Sequence, residues 1–369
     1  MKIEKVAIHL VRLPMIEPFR ISSGDVTAVD TIIVQLFSEG LVGIGESSCD
    51  ATPIYSYETT QTVLHIIRDF IIPATIGQSF SSADAVSDAI SLIRGHNMAK
   101  SGIEMAMWDL IAKSKKTPLY QLIGGERPYI ESGVSIGLQD TESALFERIE
   151  KYTSEGYRRI KIKIKHGHDE RLVAAVRKRF GTIQLMVDAN SAYTLDDESV
   201  FIRLDPYGLM MIEQPLGYND IVDHSRLQKK LKTPICLDES IKYFDDARQA
   251  IELGSCRIIN IKVGRVGGLS ESKRIHDYCR ARNIPVWCGS LLESGVGEAH
   301  NLAISTLPGF TIPGDVAPTG RYFTRDILRE PMVMDKNGRQ MPSNQPGVGV
   351  ELDMKAVNEL TFYKQEFVA

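Results

Sequence analysis

Apolar residues recur along this chain with two different periods, and the switch between them predicts its architecture. From Met1-Lys2-Ile3-Glu4-Lys5-Val6 to about residue 14, apolar and polar positions alternate as in a half-buried strand. Two further runs, near 28–38 and 41–48, are joined by Ser38-Glu39-Gly40, so the first 50 residues or so read as a three-stranded antiparallel meander. Two loops carrying apolar residues accompany it, Pro18–Gly24 between the first two strands and Cys49–Tyr55 after the third. Helical spacing then takes over. It is clearest over 99–114, where Ile103, Met107, Leu110 and Ile111 form one stripe.

After the hinge Gly124-Gly125-Glu126-Arg127-Pro128 the pattern changes to short, near-continuous apolar runs separated by helical segments. Runs near 130–138, 159–165, 184–188, 209–213, 234–238, 257–262, 285–289 and 310–315 make eight strands. Their spacing of roughly 25 residues is that of a βα unit in a parallel barrel. Strands this apolar are covered by helices on the outside. Between them Leu172, Val173, Val176 and Phe180 recur at helical spacing, as do Ala247, Ala250 and Ile251 before the cap glycine Gly254. The fold class is therefore α/β. Residues 1–124 are expected to form an accessory N-terminal domain, 125–320 a TIM-like barrel, and the irregular 321–369 to return to the N-terminal domain.

One barrel strand has a second pattern within it. In Arg159-Ile160-Lys161-Ile162-Lys163-Ile164-Lys165 the isoleucines face one way and the lysines the other. An amphipathic edge strand would look the same, but a lysine aimed into a barrel is crowded and desolvated, which makes it a candidate base. Three successive strands end in carboxylates, Asp188, Glu213 and Asp238, at the rim where barrel enzymes keep their chemistry. Any one of them alone could simply cap the next helix. Three converging carboxylates repel, and a divalent cation relieves the repulsion; an all-oxygen set without Cys or His suits Mg²⁺, with Mn²⁺ a substitute. Lys262 ends the sixth strand, across the barrel mouth from Lys161 and Lys163 on the second. Two bases on opposite faces of a cation-bound carboxylate substrate suit proton abstraction from its α-carbon.

Composition narrows the setting. With 43% hydrophobic and 24% charged residues and a net charge of −4, nothing favours nucleic acid or a membrane surface as partner. No apolar run approaches the length of a membrane span and the N-terminus lacks a signal-peptide core, so a cytoplasmic protein acting on a small-molecule carboxylate is expected. Five scattered cysteines without a CxxC pair fit reduced thiols in that compartment. A homo-oligomer is compatible with the sequence, which does not define an oligomeric state.

Lys161-Ile162-Lys163, the three strand-end carboxylates and Lys262 resemble the enolase superfamily, muconate-lactonising subgroup. Within it, four strings resemble the o-succinylbenzoate synthase / N-succinylamino acid racemase family: Arg94–Lys100, Val187–Leu195 (which includes Asn190), Pro234–Ser240 (which includes Glu239) and Ile259–Gly268. The resemblance implies a capping domain on a (β/α)7β barrel, with Asp188, Glu213 and Asp238 holding Mg²⁺. It makes Lys163 and Lys262 the acid/base pair and Lys161 their electrostatic neighbour, with Arg265 tuning Lys262. It places Asn190 and Glu239 at the substrate, and Phe19 and Tyr55 on loops that close over it. Ser135, and Ser294 with Gly295 at a helix N-terminus, become candidates for binding the substrate's far carboxylate. The implied activity is a lyase that dehydrates 2-succinyl-6-hydroxy-2,4-cyclohexadiene-1-carboxylate in menaquinone synthesis, the alternative being racemisation of N-succinylamino acids, or both in one site. Mandelate-type racemases fit less well, because their seventh-strand histidine is replaced by Val286-Trp287-Cys288-Gly289. Dipeptide epimerases carry Asp-x-Asp where this chain has Asp315-Val316-Ala317.

Overall fold

The alternation of the first 48 residues builds a sheet, and in the computed structural model, which describes residues 1–21 and 24–369, that sheet has four strands. Strands β1 (Lys5–Ile21), β2 (Gly24–Ser38) and β3 (Leu41–Ser48) form the meander. The C-terminal strand β13 (Thr361–Val368) adds antiparallel to the outer side of β1, in the order β13-β1-β2-β3. The expected loop at 18–24 is shorter than its sequence suggested. After a register shift between Pro14 and Phe19 the ladder resumes, and Phe19 pairs with Val26. Ser22 and Ser23 of that expected loop lie outside the described residues.

The helix expected at 99–114 spans Asn97–Ser114, and it is buried around most of its circumference rather than along one stripe. Ser101, Gly102, Glu104 and Asp109 are as buried as Ile103 and Met107. The reason is close packing against β3 on one side and the barrel on the other. A Cβ on Gly45 would sit 2.1 Å from the Gly102 carbonyl oxygen, so only glycine lets the strand and helix backbones approach this closely. Glu104 on this helix accepts from the amides of Leu269 and Ser270 at 2.8 and 2.9 Å, at the start of the barrel helix Leu269–Arg280. Glu46 on β3 does the same for the helix Gly295–Ile304, accepting from Ser294 and Gly297 at 3.0 and 2.8 Å.

The barrel has seven parallel strands in chain order: β5 (Gly133–Ile136), β6 (Arg159–Lys163), β7 (Leu185–Asp188), β8 (Ile212–Glu213), β9 (Ile235–Leu237), β10 (Ile258–Ile261) and β11 (Val286–Cys288). The eighth expected strand is reduced to two bridges, Val286 with Phe310 and Ser132 with Gly314. Pro313 between them has no N–H to offer a ladder. Those bridges still join the seventh strand to the first. The expected run 130–138 is divided. Its start, β4 (Ile130–Glu131), pairs antiparallel with β12 (Arg339–Gln340). Isoleucines, leucines and valines of the strands pack outward against the helices, while Met186, Met211, Cys236, Ile258 and Trp287 fill the interior. No helix among the described residues is long and apolar enough to cross a membrane.

Gly45→Ala is expected to destabilise the protein by about 1–3 kcal/mol through overpacking against the Gly102 carbonyl. A urea midpoint unchanged from the parent would show that the two backbones can separate without cost.

Candidate active site

Parallel strands deliver neighbouring side chains at one level, and the register here sets Lys163 beside Asp188 and Asp188 beside Glu213. Side chains two apart on β6 share a face, so Arg159, Lys161 and Lys163 all project into the barrel, and all three are buried. Each then needs an anion. Lys163 Nζ donates to Asp188 Oδ2 and to Asn190 Oδ1, both at 2.6 Å. Lys161 Nζ lies 3.0 Å from Glu213 Oε2, 2.8 Å from Asp315 Oδ2 and 3.6 Å from Asp188 Oδ2. Arg159 donates to Asp315 Oδ1 at 2.6 Å, and Arg159 and Lys161 both lie over the Trp287 ring, 4.8 and 4.9 Å from its centroid.

The opposite wall is built the same way. Lys262 Nζ sits 3.0 Å from Asp238 Oδ2 and 2.9 Å from the Tyr55 hydroxyl. Arg265 also ion-pairs with Asp238, and its Nε and second terminal nitrogen donate to the carbonyls of Ile241 and Asn260 at 2.7 and 2.6 Å. Asn260 donates to Glu213 Oε1 at 2.7 Å, and Asn190 to Glu239 Oε1 at 3.1 Å. Gln214, directly after Glu213 and with φ of +37°, accepts from the amides of Asp238 and Ser240 at 3.0 and 3.3 Å. It thereby ties one strand end to the next.

Burial opposes every charge here, and the pairings decide which way each group moves. It pulls the Lys161 ammonium down, but Asp315, Glu213 and Asp188 together raise it above the ordinary lysine value. Lys262 is likewise raised, with Tyr55, Glu239 and Glu213 outweighing burial. Asp188 is brought down to about 2 against its own burial by Lys163 and Lys161. Burial and the neighbouring Asp188 raise Glu213, and the same two causes push Glu239 up to about 7.

Above these groups lies a cavity of about 710 Å³. Lys161, Lys163, Asp188, Asn190, Glu239, Lys262 and Ser135 line its charged side, and Phe19, Tyr55, Ile54, Leu291, Leu292 and Tyr322 its apolar side. Glu213 and Asp238 are buried and do not line it. Arg265 also stays off its wall, fully engaged by protein partners. Ser294 and Gly295 are not brought to the cavity. The Ser294 amide and hydroxyl are taken by Glu46 and the Gly295 amide by Asp326 Oδ1 at 3.0 Å, so that helix N-terminus is already occupied. Among the described residues no three His, Cys, Asp or Glu side chains surround a common ion position; each of the three strand-end carboxylates is engaged by a cationic side chain or an amide. Sequence reasoning missed Asp315, Asn260 and Gln214. Only the position of Asp315 at the end of the eighth apolar run could have flagged it.

Comparison with known proteins follows the same lines. The model of the mandelate racemase / muconate lactonizing enzyme N-terminal domain matches residues 4–124, and that of the enolase C-terminal domain-like family matches 144–356. The o-succinylbenzoate synthase of Geobacillus kaustophilus is 48% identical over 366 residues, 99% of this chain and 97% of that one. The N-succinylamino acid racemase of Thermus thermophilus is 41% identical over 365 residues, 99% of each chain. The crystal structure of an enolase-superfamily member from Listeria innocua superposes with a TM-score of 0.96 at 40% identity, covering 100% of this chain and 99% of that one.

Asp315→Asn is expected to cost about 3–5 kcal/mol at pH 7, because Arg159 loses its carboxylate and Lys161 one of three. Arg159 and Lys161 depress the Asp315 carboxyl below its ordinary range, against its own burial. Its contribution is therefore complete above the unfolded value of about 3.9 and lost only as pH falls further. Urea unfolding at pH 7, 5 and 3.5 checks this, and a gap between parent and variant already closed at pH 5 contradicts it.

Proposed function

The chain belongs to the o-succinylbenzoate synthase / N-succinylamino acid racemase family of the enolase superfamily, and on that footing we propose that it is an o-succinylbenzoate synthase. It dehydrates 2-succinyl-6-hydroxy-2,4-cyclohexadiene-1-carboxylate to 2-succinylbenzoate, in the cytoplasm, for menaquinone synthesis. The observation that carries this reading is a single cavity with Lys163 on one wall and Lys262 on the other, above a tier of carboxylates.

The donor set fits a hard divalent ion. Asp188, Glu213 and Asp238 offer only oxygen, and two further buried oxygens close by, Asn260 Oδ1 and Glu239 Oε2, have no hydrogen-bond partner. These three carboxylates would hold Mg²⁺, for which Mn²⁺ would substitute; when bound, the ion supplies positive charge where the substrate carboxylate becomes an enediolate. The remaining work falls to the chain's own side chains. Lys163 Nζ, in its neutral form, takes the proton from the carbon bearing the carboxylate. The electron pair forms the enediolate, then moves into the ring as the bond to the hydroxyl breaks, and the Lys163 ammonium gives its proton to the departing hydroxide as water. Lys262 stays protonated on the opposite face, and Lys161 holds positive charge beside the carboxylate. Because the product ring is aromatic, elimination asks little beyond the first proton transfer. Phe19, Tyr55 and Ile54 keep water from the intermediate.

A second reading, racemisation of N-succinylamino acids, is favoured by the placement of Lys262. It faces the cavity from the side opposite Lys163, as a second proton carrier must, and a 41% identical relative is named for that reaction.

Lys163→Ala is expected to lower kcat/KM by roughly 10²–10⁴-fold or more for either substrate while leaving the fold intact by circular dichroism. A loss of only a few-fold removes Lys163 from the role of base.

Lys262→Arg separates the two reactions, since a guanidinium stays protonated and cannot exchange a proton. Some dehydration should survive. Exchange of the α-proton in D₂O should vanish for one enantiomer of an N-succinylamino acid and persist weakly for the other. Equal loss for both enantiomers would show that Lys262 serves charge or binding alone.

A further inference from the structure

The N-terminal sheet has two edges, and the chain treats them differently. On β3 the outer edge is closed by the helix Asn97–Ser114. Asp109 accepts from the Ile44 amide at 2.8 Å, and Lys113 donates to the Val42 carbonyl at 2.8 Å. β13 has β1 on one side only, and among the described residues no strand or side chain engages the backbone on its other side. Such an edge is a template for a further strand, and proteins usually blunt it with a short strand, a proline, a bulge or a lysine. β13 has eight residues and no proline. Its one bulge, at Phe362, lies at the start and leaves Tyr363–Val368 in regular register with Lys5–Leu10.

The lysine is the remaining device, and here its placement works the other way. Phe362, Lys364, Glu366 and Val368 alternate as the exposed positions of β13, with Lys364 and Glu366 on either side of Gln365. A two-fold axis perpendicular to the sheet at Gln365 sets Lys364 of one copy opposite Glu366 of the other, twice. On the inner face it sets Tyr363 opposite Phe367, twice. Phe362, 51% exposed, and Val368, 76% exposed, meet at each end. Moving the axis by one residue, to Lys364 or to Glu366, sets that charge against its own copy, which is destabilising. An axis between two residues would pair side chains of opposite faces, which a pleated sheet does not allow. Within one chain Glu366 already ion-pairs with Lys5 at 2.8 Å and with Lys364 at 3.0 Å. These pairs are exposed and contribute little alone, and pairing across the axis extends them into an alternating row.

We propose that the outer edge of β13 docks a second copy of this chain. The two β13 strands pair antiparallel about an axis at Gln365 and join two four-stranded sheets into one of eight. Backbone hydrogen bonds supply the attachment, and the alternation of Lys364 and Glu366 fixes the register. None of these residues lines the cavity, so the pairing stands apart from the function proposed above.

Sedimentation equilibrium on the full chain tests the association, with circular dichroism to show that each variant is folded. The parent should be a dimer or an even multiple of one. Lys364→Glu and Glu366→Lys each set like charges together at two places and should raise the dissociation constant by about 10–100-fold. The double variant, Lys364→Glu with Glu366→Lys, restores opposite charges in reversed order and should recover most of the loss. Oxidative cross-linking reads the register, since the five native cysteines are buried. Lys364→Cys mixed with Glu366→Cys places one thiol opposite the other and keeps the remaining Lys–Glu pair, so the mixture should form a disulfide-linked dimer. Either variant alone should not, because its two thiols stand roughly 7–8 Å out of register, beyond the reach of a disulfide. A parent that stays monomeric at its highest soluble concentration overturns the proposal and leaves the edge to an unrelated strand. An assembly unchanged in both charge variants overturns it, as does a folded double variant no better than the single ones. Cross-linking absent from the mixture, or equal in the mixture and the single variants, overturns it too.

Discussion

Charge buried in a barrel must be balanced within the barrel, and most of the site's geometry follows from that requirement. Four cationic side chains, Arg159, Lys161, Lys163 and Lys262, enter the interior from two strands, and each is held by a carboxylate from another part of the barrel. An ammonium that turned away would strip at least one buried carboxylate of a cation. The lysines are therefore fixed by electrostatics where an aliphatic residue would be fixed by packing. Trp287, wholly buried at the centre, packs beneath two of these cations and supplies the soft contact that a rigid ion network cannot.

The cavity above has two sources. Its reactive side comes from the ends of parallel strands, where backbone ladders hold register to within one residue. Its apolar side comes mainly from the N-terminal sheet, the segment after β3, and the segments following β11 and the eighth barrel position. Chemistry and substrate fit thus rest on different parts of the chain. Tyr55 apart, whose hydroxyl meets Lys262, the apolar side can vary without disturbing the ion network, a division that suits a family whose members bear different reaction names.

Local pattern was enough to read the strand order, the lysine face of β6 and the carboxylates at three strand ends, because these depend on periods of two and about twenty-five residues. What it could not supply was contact between distant segments. Asp315 meets Arg159 across 156 positions, and nothing near either residue announces the other. Ser294 and Gly295 had the form of an open helix N-terminus, and Glu46, 248 positions away from Ser294, had already filled it. The stripe expected on 99–114 understated that helix because its polar residues are buried by partners that no local pattern reveals. β1 ran past its expected end because a register shift, invisible in the alternation, lets the ladder resume at Phe19.

Glu46 and Glu104 bear on how divisible the molecule is. Each leaves the N-terminal region and closes the start of a barrel helix, satisfying amides that a helix cannot satisfy by itself. The final strand returns from the barrel to pair with the first. Two units that look separable as architecture therefore lack independent ends. Cut apart, the barrel would lose acceptors at the starts of two helices and the sheet would lose an edge strand. Recombination between relatives would then have to move Glu46 and Glu104 together with the helices they close, so inheritance in this fold runs by matched contacts rather than by domains.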